Sequence, residues 1–298
     1  MRSPDHAPVL LRAAVPASEA EGLARALMSS AWRDGARVLK REGGAEVLAG
    51  ESVAGPVVVK SMRGSGGIGV ALSRLLRRSR LERECAGGER LARAGIDVAP
   101  FLALWRWRDE RGDAVESLAM RRIEGPTLLQ AMADPPADPA QRIALARAAG
   151  GLVARMLAAG LFNRDQKPSN IIVQGNGGGG GGGGGGGSGS DAPRLVLLDP
   201  VGVRRPGLTG NAKARRRMLF SLIVEPIGCG LDVPMRWRLE AMRAALGPVA
   251  AARGSFAAST VRADFRAIDQ MLFDHGDPTP SINPLGDAGG IPGNNHNP

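Results

Sequence analysis

The segment Asn163-Arg164-Asp165-Gln166-Lys167-Pro168-Ser169-Asn170 sets an aspartate, a lysine and an asparagine in order, with Lys167 two and Asn170 five residues after Asp165. These are the groups that phosphoryl transfer uses: a carboxylate to accept a hydroxyl proton, a cation for the migrating charge, and an amide oxygen for a metal ion. A second carboxylate, Asp199, follows the apolar run Leu195-Val196-Leu197-Leu198 and precedes Pro200-Val201-Gly202. A carboxylate emerging from a buried strand near Asn170 is suited to hold Mg²⁺ against a triphosphate. The competing reading makes these segments ordinary turns, in which Asp165, Asn170 and Asp199 only cap the backbone.

Ile171-Ile172-Val173 and Leu195 to Leu198 predict the two strands of a hairpin, which brings Asn170 and Asp199 together. Between them, Gly175 to Ser190 is almost pure glycine and includes a run of eleven. It is expected to be disordered, because glycine loses the most backbone entropy on ordering. The hairpin tolerates such an insert because loop-closure cost grows only logarithmically with length. Upstream, Ala140 to Ala159 places Leu145, Ala149, Leu152, Val153, Met156 and Leu157 on one helical face. Downstream, Lys213 to Val224, Pro234 to Leu246 and Ala257 to Phe273 read as amphipathic helices.

The first part of the chain has a different period. Ala36 to Leu39, Ala45 to Ala49, Pro56 to Met62, Phe101 to Trp107 and Glu116 to Ile123 are strand-like, with one helix expected from about Val70 to Arg93. The fold class is therefore α+β and bilobal: a β-rich N-lobe with one helix over residues 21–124, then a mainly helical C-lobe over 125–275. Residues 1–20 read as a flexible arm, and 276–298, rich in Pro, Gly and Asn, as a disordered tail.

Within the predicted helix, Glu84 lies three residues after Leu81 and seven before Leu91, which turns it toward the core. A charge there needs a partner, and Lys60, at the end of Val57-Val58-Val59, is the natural one. The alternative places Glu82, Glu84 and Glu89 on a solvated face. Gly64-Ser65-Gly66-Gly67-Ile68-Gly69 also satisfies G-x-G-x-x-G between a strand and a helix. The strand before it ends in lysine, the elements ahead read as an antiparallel meander, and no β-α-β unit follows, so a dinucleotide fold does not fit.

Composition narrows the function classes. With 298 residues and 43% hydrophobic content, the chain can bury a sizeable core. A net charge of +10 attracts polyanions such as nucleotides, nucleic acids or acidic lipids, although an arginine-rich, GC-rich coding bias also produces it. Four tryptophans, six phenylalanines and no tyrosine offer few platforms for stacking bases, and no groove-reading motif is present, which argues against nucleic acid. Cys85 and Cys229 have neither disulfide nor metal spacing and read as buried thiols in a reducing compartment. No apolar run approaches the roughly 18–20 residues of a membrane span, and the N-terminus lacks a signal pattern, so a cytoplasmic location is expected.

The order of V-V-V-K (Val57 to Lys60), E-x6-L-A-R-A-G-I-D-V-A-P (Glu84 to Pro100), E-G-P-T-L (Glu124 to Leu128), F-N-R-D-Q-K-P-S-N-I-I-V and L-L-D resembles the protein-kinase superfamily. The resemblance is strongest to the bacterial lipopolysaccharide core heptose and Kdo kinases and covers about Ala36 to Pro226. It implies a protein-kinase-like fold that transfers phosphate from ATP with Mg²⁺ to a hydroxyl, such as one on a lipopolysaccharide core sugar. By the same resemblance, Lys60 contacts the ATP phosphates and Glu84 pairs with it. Met120 to Glu124, with Met120, Arg121 and Glu124 as its contacts, forms the hinge beside adenine. Asp165 is the catalytic base, Lys167 neutralises the γ-phosphate, and Asn170 and Asp199 hold the metal. The implied location is the cytoplasm, at the periphery of the acidic inner membrane. Three departures stand out: Asn163 replaces the usual loop histidine, Pro-Val-Gly follows Asp199, and only Arg41-Glu42-Gly43-Gly44-Ala45 is available as a substitute for a phosphate-covering glycine loop. They leave open a catalytically weak pseudokinase, and a protein or small-molecule hydroxyl as acceptor.

Overall fold

The computed structural model describes residues 7–64, 79–175, 193–206, 210–247, 254–280 and 283–285. The glycine tract beyond Gly175 and the G-x-G-x-x-G segment beyond Gly64 lie outside them, as does the start of the helix expected from Val70. Two compact units divide the chain: Met1–Arg90 with Val98–Ile123, and Leu91–Asp97 with Glu124–Pro298.

The first unit is built on one antiparallel sheet of six strands, β1 (Val9–Ala13), β2 (Arg37–Glu42), β3 (Ala45–Ser52), β4 (Gly55–Arg63), β5 (Phe101–Arg108) and β6 (Ala114–Arg121), in the order β1-β5-β6-β4-β3-β2. Alternation assigns its two faces. Val57 and Val59 of β4, Ala103 and Trp105 of β5 and Ala119 of β6 form one buried cluster with Ala20, Leu23, Ala24, Leu27 and Met28 of helix α1 (Ala17–Met28). A short helix α2 (Ser30–Gly35) follows, capped by the Ser29 hydroxyl, which accepts the Trp32 N–H. On the opposite face, Leu104, Leu118 and Met120 pack with Leu81 and Cys85 of helix α3 (Arg80–Arg93), and Val58 and Met62 join them. Lys60, between Val58 and Met62 in the same alternation, belongs to the α3 side.

The flexible arm expected over 1–20 is corrected from Val9 on, its first six residues lying outside the described ones. Val9–Ala13 pairs with β5 as an edge strand, Val9 opposite Arg106 and Ala13 opposite Ala103. Residues 20, 23, 24, 27 and 28 of α1 repeat with helical period and are all buried. Burying Leu23 and Leu27 alone is worth roughly 1.5–3 kcal/mol each. The sheet therefore has six strands rather than five. Its antiparallel pairing of β4 with both β3 and β6 excludes the β-α-β unit that a dinucleotide fingerprint requires.

The second unit is mainly helical: α4 (Leu128–Ala133), α5 (Pro139–Ala158), α6 (Gly210–Gly228), α7 (Met235–Ala245) and α8 (Gly254–His275). Thr127 and Gln130 close a reciprocal capping box on α4, and Asp138 caps α5 ahead of Pro139 at the first turn. Helices α5 and α7 approach so closely that a Cβ on Gly150 would lie 2.0 Å from the Ala241 carbonyl oxygen. Strands β7 (Phe162–Asn163), β8 (Ile171–Gln174), β9 (Arg194–Leu197) and β10 (Val203–Arg204) form two antiparallel pairs, β7 with β10 and β8 with β9. Gln174 opposite Arg194 marks the end of the predicted hairpin.

The tail expected to be disordered from 276 is corrected at its start. Pro278 packs against α6, its carbonyl oxygen 2.2 Å from where a Cβ on Gly228 would sit. Among the described residues, no helix is long and apolar enough to cross a membrane.

Candidate active site

In the first unit the predicted cation and carboxylate meet. Lys60 Nζ donates to Glu84 Oε1, with the glutamate side chain 2% exposed and the lysine 20%. Strand alternation sends Lys60 to the α3 face, and the helical spacing Leu81, Glu84, Cys85 sends Glu84 to the sheet face. The solvated-face alternative for Glu84 is thereby excluded. A buried ion pair is weak evidence for stability, since desolvation offsets the attraction. The adjoining Cys85 thiol is pushed up to about 12, first by burial and then by the Glu84 charge, so it is protonated and inert at neutral pH.

Met120 lies at the buried end of β6, in the same cluster as Leu81 and Cys85. Arg121 is exposed and its N–H donates to the Pro100 carbonyl; Glu124 is exposed and falls in the second unit. The segment Arg41 to Ala45 is a two-residue hairpin turn, with Gly43 and Gly44 at φ of 53° and 81° and Glu42 paired with Ala45. The Gly44 carbonyl accepts the Arg63 N–H. This tight turn is much shorter than a phosphate-covering loop.

In the second unit, Asp165, Lys167 and Asn170 occupy one loop made of successive tight turns. The Asp165 carbonyl accepts the Lys167 N–H at 2.9 Å and the Asn170 side-chain amide at 3.4 Å, and the Lys167 carbonyl accepts the Asn170 N–H at 3.0 Å. Pro168–Asn170 forms a 3-10 turn leading straight into β8. The Leu198 N–H donates to the Asn170 carbonyl at 2.9 Å, so Asp199 emerges next to Asn170 from the paired strand. Asp165 and Asp199 are both half-buried, while Lys167 is exposed. The Arg164 guanidinium stands 3.4 Å from each Asp165 carboxylate oxygen.

Asn163, the departure noted in sequence, is fully buried, and its Oδ1 accepts the Asp165 N–H at 3.1 Å. An asparagine therefore braces the loop directly. Gly202 closes the arrangement from the other side: a Cβ there would lie 2.7 Å from Asn163 Oδ1 and 3.2 Å from both the Asp165 N and Oδ2. A side chain at 202 would force the Asn163 amide oxygen to shift and crowd Asp165.

Several supports were not predicted. The Glu225 carboxylate on α6 accepts the Ser169 N–H at 2.9 Å and its hydroxyl at 2.6 Å, and the Ser221 hydroxyl one turn earlier donates to the Arg164 carbonyl. No local pattern announces contacts across 56 and 57 residues. Gln166 is fully buried, and neither of its amide atoms, nor Asn163 Nδ2, has a hydrogen-bond partner among the described residues. Each such group costs about 1–3 kcal/mol, and a cluster of them on one loop is the kind of polar concentration that functional sites carry. Cys229, near this loop, is buried; burial raises its thiol, Glu225 adds to the rise, and Lys167 opposes it.

Among the described residues no group of three or more His, Cys, Asp or Glu could enclose a metal ion. Asn170 and Asp199 offer two hard oxygen ligands at most, the open arrangement by which Mg²⁺ is held when substrate phosphates complete its shell.

No protein-family model and no curated protein matches the chain. Its fold does match solved structures. The structure of WaaP in complex with acyl carrier protein is similar to this chain, with 18% identity at a TM-score of 0.50. The match covers 80% of this chain and 90% of that one. The fold is thus kinase-like, and a fold alone does not select a reaction.

Proposed function

We propose that the chain is an ATP-dependent phosphotransferase with a hydroxyl acceptor. The observation that carries this reading is the convergence in the second unit. Gly202 presses against Asp165 while Leu198 bonds to Asn170, so the segment that carries Asp199 is fastened on both sides to the loop that carries Asp165 and Asn170. In this reading Asp165 accepts the acceptor's hydroxyl proton and Lys167 faces the transferred phosphoryl group. Asn170 and Asp199 hold Mg²⁺, which when bound offsets negative charge on the ATP phosphates. By the sequence resemblance, Lys60, oriented by Glu84, is the residue that contacts ATP phosphates, and Met120, Arg121 and Glu124 are those beside adenine.

For the acceptor, the sequence resemblance to lipopolysaccharide kinases and the fold likeness to WaaP together favour a core-sugar hydroxyl or a similar glycolipid. A net charge of +10 favours work at an acidic membrane surface on the cytoplasmic side. A weakly active, ATP-binding scaffold is the second reading, favoured by the tight Gly43-Gly44 turn. Protein and small-molecule hydroxyls are the other acceptors to try.

ATP consumption with Mg²⁺ over a panel of lipid A, core-sugar, small-molecule and peptide acceptors separates these readings. Asp165→Asn is expected to lower turnover by about 10²–10⁴-fold with the fold retained by circular dichroism. Asp199→Asn is expected to abolish the Mg²⁺-supported turnover, with the fold likewise retained. Full activity in the Asp165→Asn protein would refute the catalytic assignment, and ATP binding without turnover on any acceptor would favour the scaffold.

A further inference from the structure

Helix α3 meets the sheet through two polar bonds set within one apolar layer. One joins Glu84 to Lys60. The other belongs to Ser79, the half-buried residue directly before the helix, whose hydroxyl donates to Glu116 Oε1 on β6. Glu116 is itself buried, and its second oxygen accepts from Arg106 Nη2 on β5 at 3.0 Å. Ser79 also caps the helix reciprocally: its Oγ accepts the Glu82 N–H at 3.0 Å, and Glu82 Oε2 accepts the Ser79 N–H at 3.1 Å. A single hydroxyl thus accepts from α3 and donates to β6.

The two bonds are spaced alike on helix and sheet. Lys60 stands opposite Leu118, two residues from Glu116 on the same face of β6, a separation of about 6.8 Å along the strand. Ser79 and Glu84 are five residues apart, about 7.5 Å along a helix axis. Beside them, Leu81 and Cys85 pack on Leu104, Leu118 and Met120. Apolar contacts of this kind hold the helix down without direction, so its register along β6 falls to the hydrogen bonds. Glu84 supplies one anchor, and Ser79 closes the layer at the N-terminal end of α3. With the serine proton gone, a buried carboxylate oxygen is left without its donor, and the layer opens there to let water reach it.

We infer that Ser79 is a positioning residue for the nucleotide: by donating to Glu116 it keeps the apolar layer beneath α3 shut and so fixes where Glu84 holds Lys60. The inference rests on the phosphotransferase reading for the word nucleotide; the closure of the layer stands on the bonds of Ser79 alone.

The test uses the full chain and two readouts: affinity for ATP·Mg²⁺ by titration, and alkylation of Cys85 by N-ethylmaleimide, with Cys229 of the second unit as internal reference. Ser79→Asp keeps an acceptor for the Glu82 N–H, and aspartate is a favoured helix cap, but it has no proton for Glu116 and sets a second carboxylate against it. Ser79→Thr keeps both functions. Arg12→Gln removes the exposed ion pair from β1 to Glu89 on the same helix. Ser79→Asp should raise the Cys85 alkylation rate and the ATP dissociation constant by about tenfold or more each, with Cys229 unchanged. Ser79→Thr and Arg12→Gln should stay within about threefold of the native chain in both. If Ser79→Asp does not fold, Ser79→Ala, which drops the donor without adding charge, is read in its place. Native-like Cys85 alkylation in the donor-less variant overturns the inference, as does an equal rise in Arg12→Gln. ATP bound alike by the native chain and every variant overturns it and leaves the phosphotransferase reading standing. Cys85 released in the donor-less variant of a chain that binds no ATP leaves the closure standing and refutes that reading.

Discussion

In the first unit, Lys60 and Glu84 meet because a strand of period two and a helix of period 3.6 each turn one charged residue into the same apolar layer. In the second, Asp165, Lys167 and Asn170 sit on irregular backbone, and their supports arrive from Gly202, Ser221 and Glu225, far along the chain. Core packing positions the first pair; hydrogen bonds and a missing side chain position the second set. A charge set by packing resists small perturbations until the core itself is opened. A loop set by hydrogen bonds to a distant helix is disturbed by single contacts that leave the core untouched.

The largest separation should come from Glu84→Ala. Removing the carboxylate takes the buried Glu84 charge and its ion pair with Lys60 out of the apolar layer between sheet and α3, with an expected stability loss of up to about 3–5 kcal/mol in denaturant unfolding. A loss below one kcal/mol would mean that Lys60 finds water and that packing does not set the pair. Gly202→Ala should cost less stability, about 1–3 kcal/mol from overpacking, yet lose nearly all phosphoryl transfer because the added methyl displaces Asn163 or Asp165. Retained activity would show that the loop yields to the methyl at no catalytic cost.

Periodicity carried the reading of the sheet, of α5 and of the Lys60 to Glu84 pairing, because each of those rests on a repeat within one element. The same signal is present in α1, at residues 20, 23, 24, 27 and 28, but Pro4, Pro8 and Pro16 ahead of it give the start of the chain the composition of a loose arm. β1 gave less warning, since an edge strand with mostly partial exposure has no strict alternation. For the loop, residue types and spacing were legible. The role of Asn163 as a brace, the need for glycine at 202 and the grip of Glu225 were not, because each depends on which residues approach in space.

Smaller effects sharpen the contrast. Ser169→Ala deletes one charge-assisted bond to Glu225 and should cost about 1.5–3 kcal/mol at most, with turnover falling further than stability because the Asn170 turn loosens. The smallest effect concerns Asp97, whose carboxyl is held below its ordinary value chiefly by a hydrogen bond from Arg194 at the edge of β9. A depressed carboxylate stabilises the fold above its unfolded value, and that contribution disappears as pH falls through the folded value. Asp97→Asn should therefore remove about 0–1 kcal/mol at neutral pH and nothing in strong acid, read from unfolding curves at several pH values.

The state of the two thiols has a practical consequence for following all of this in solution. Cys85 is buried and protonated far above neutral pH, and Cys229 is buried with its thiol also raised. Maleimides and iodoacetamides react with exposed thiolates. A single cysteine introduced on the exposed surface of the native chain would therefore take a fluorophore or spin label selectively, with neither natural thiol removed.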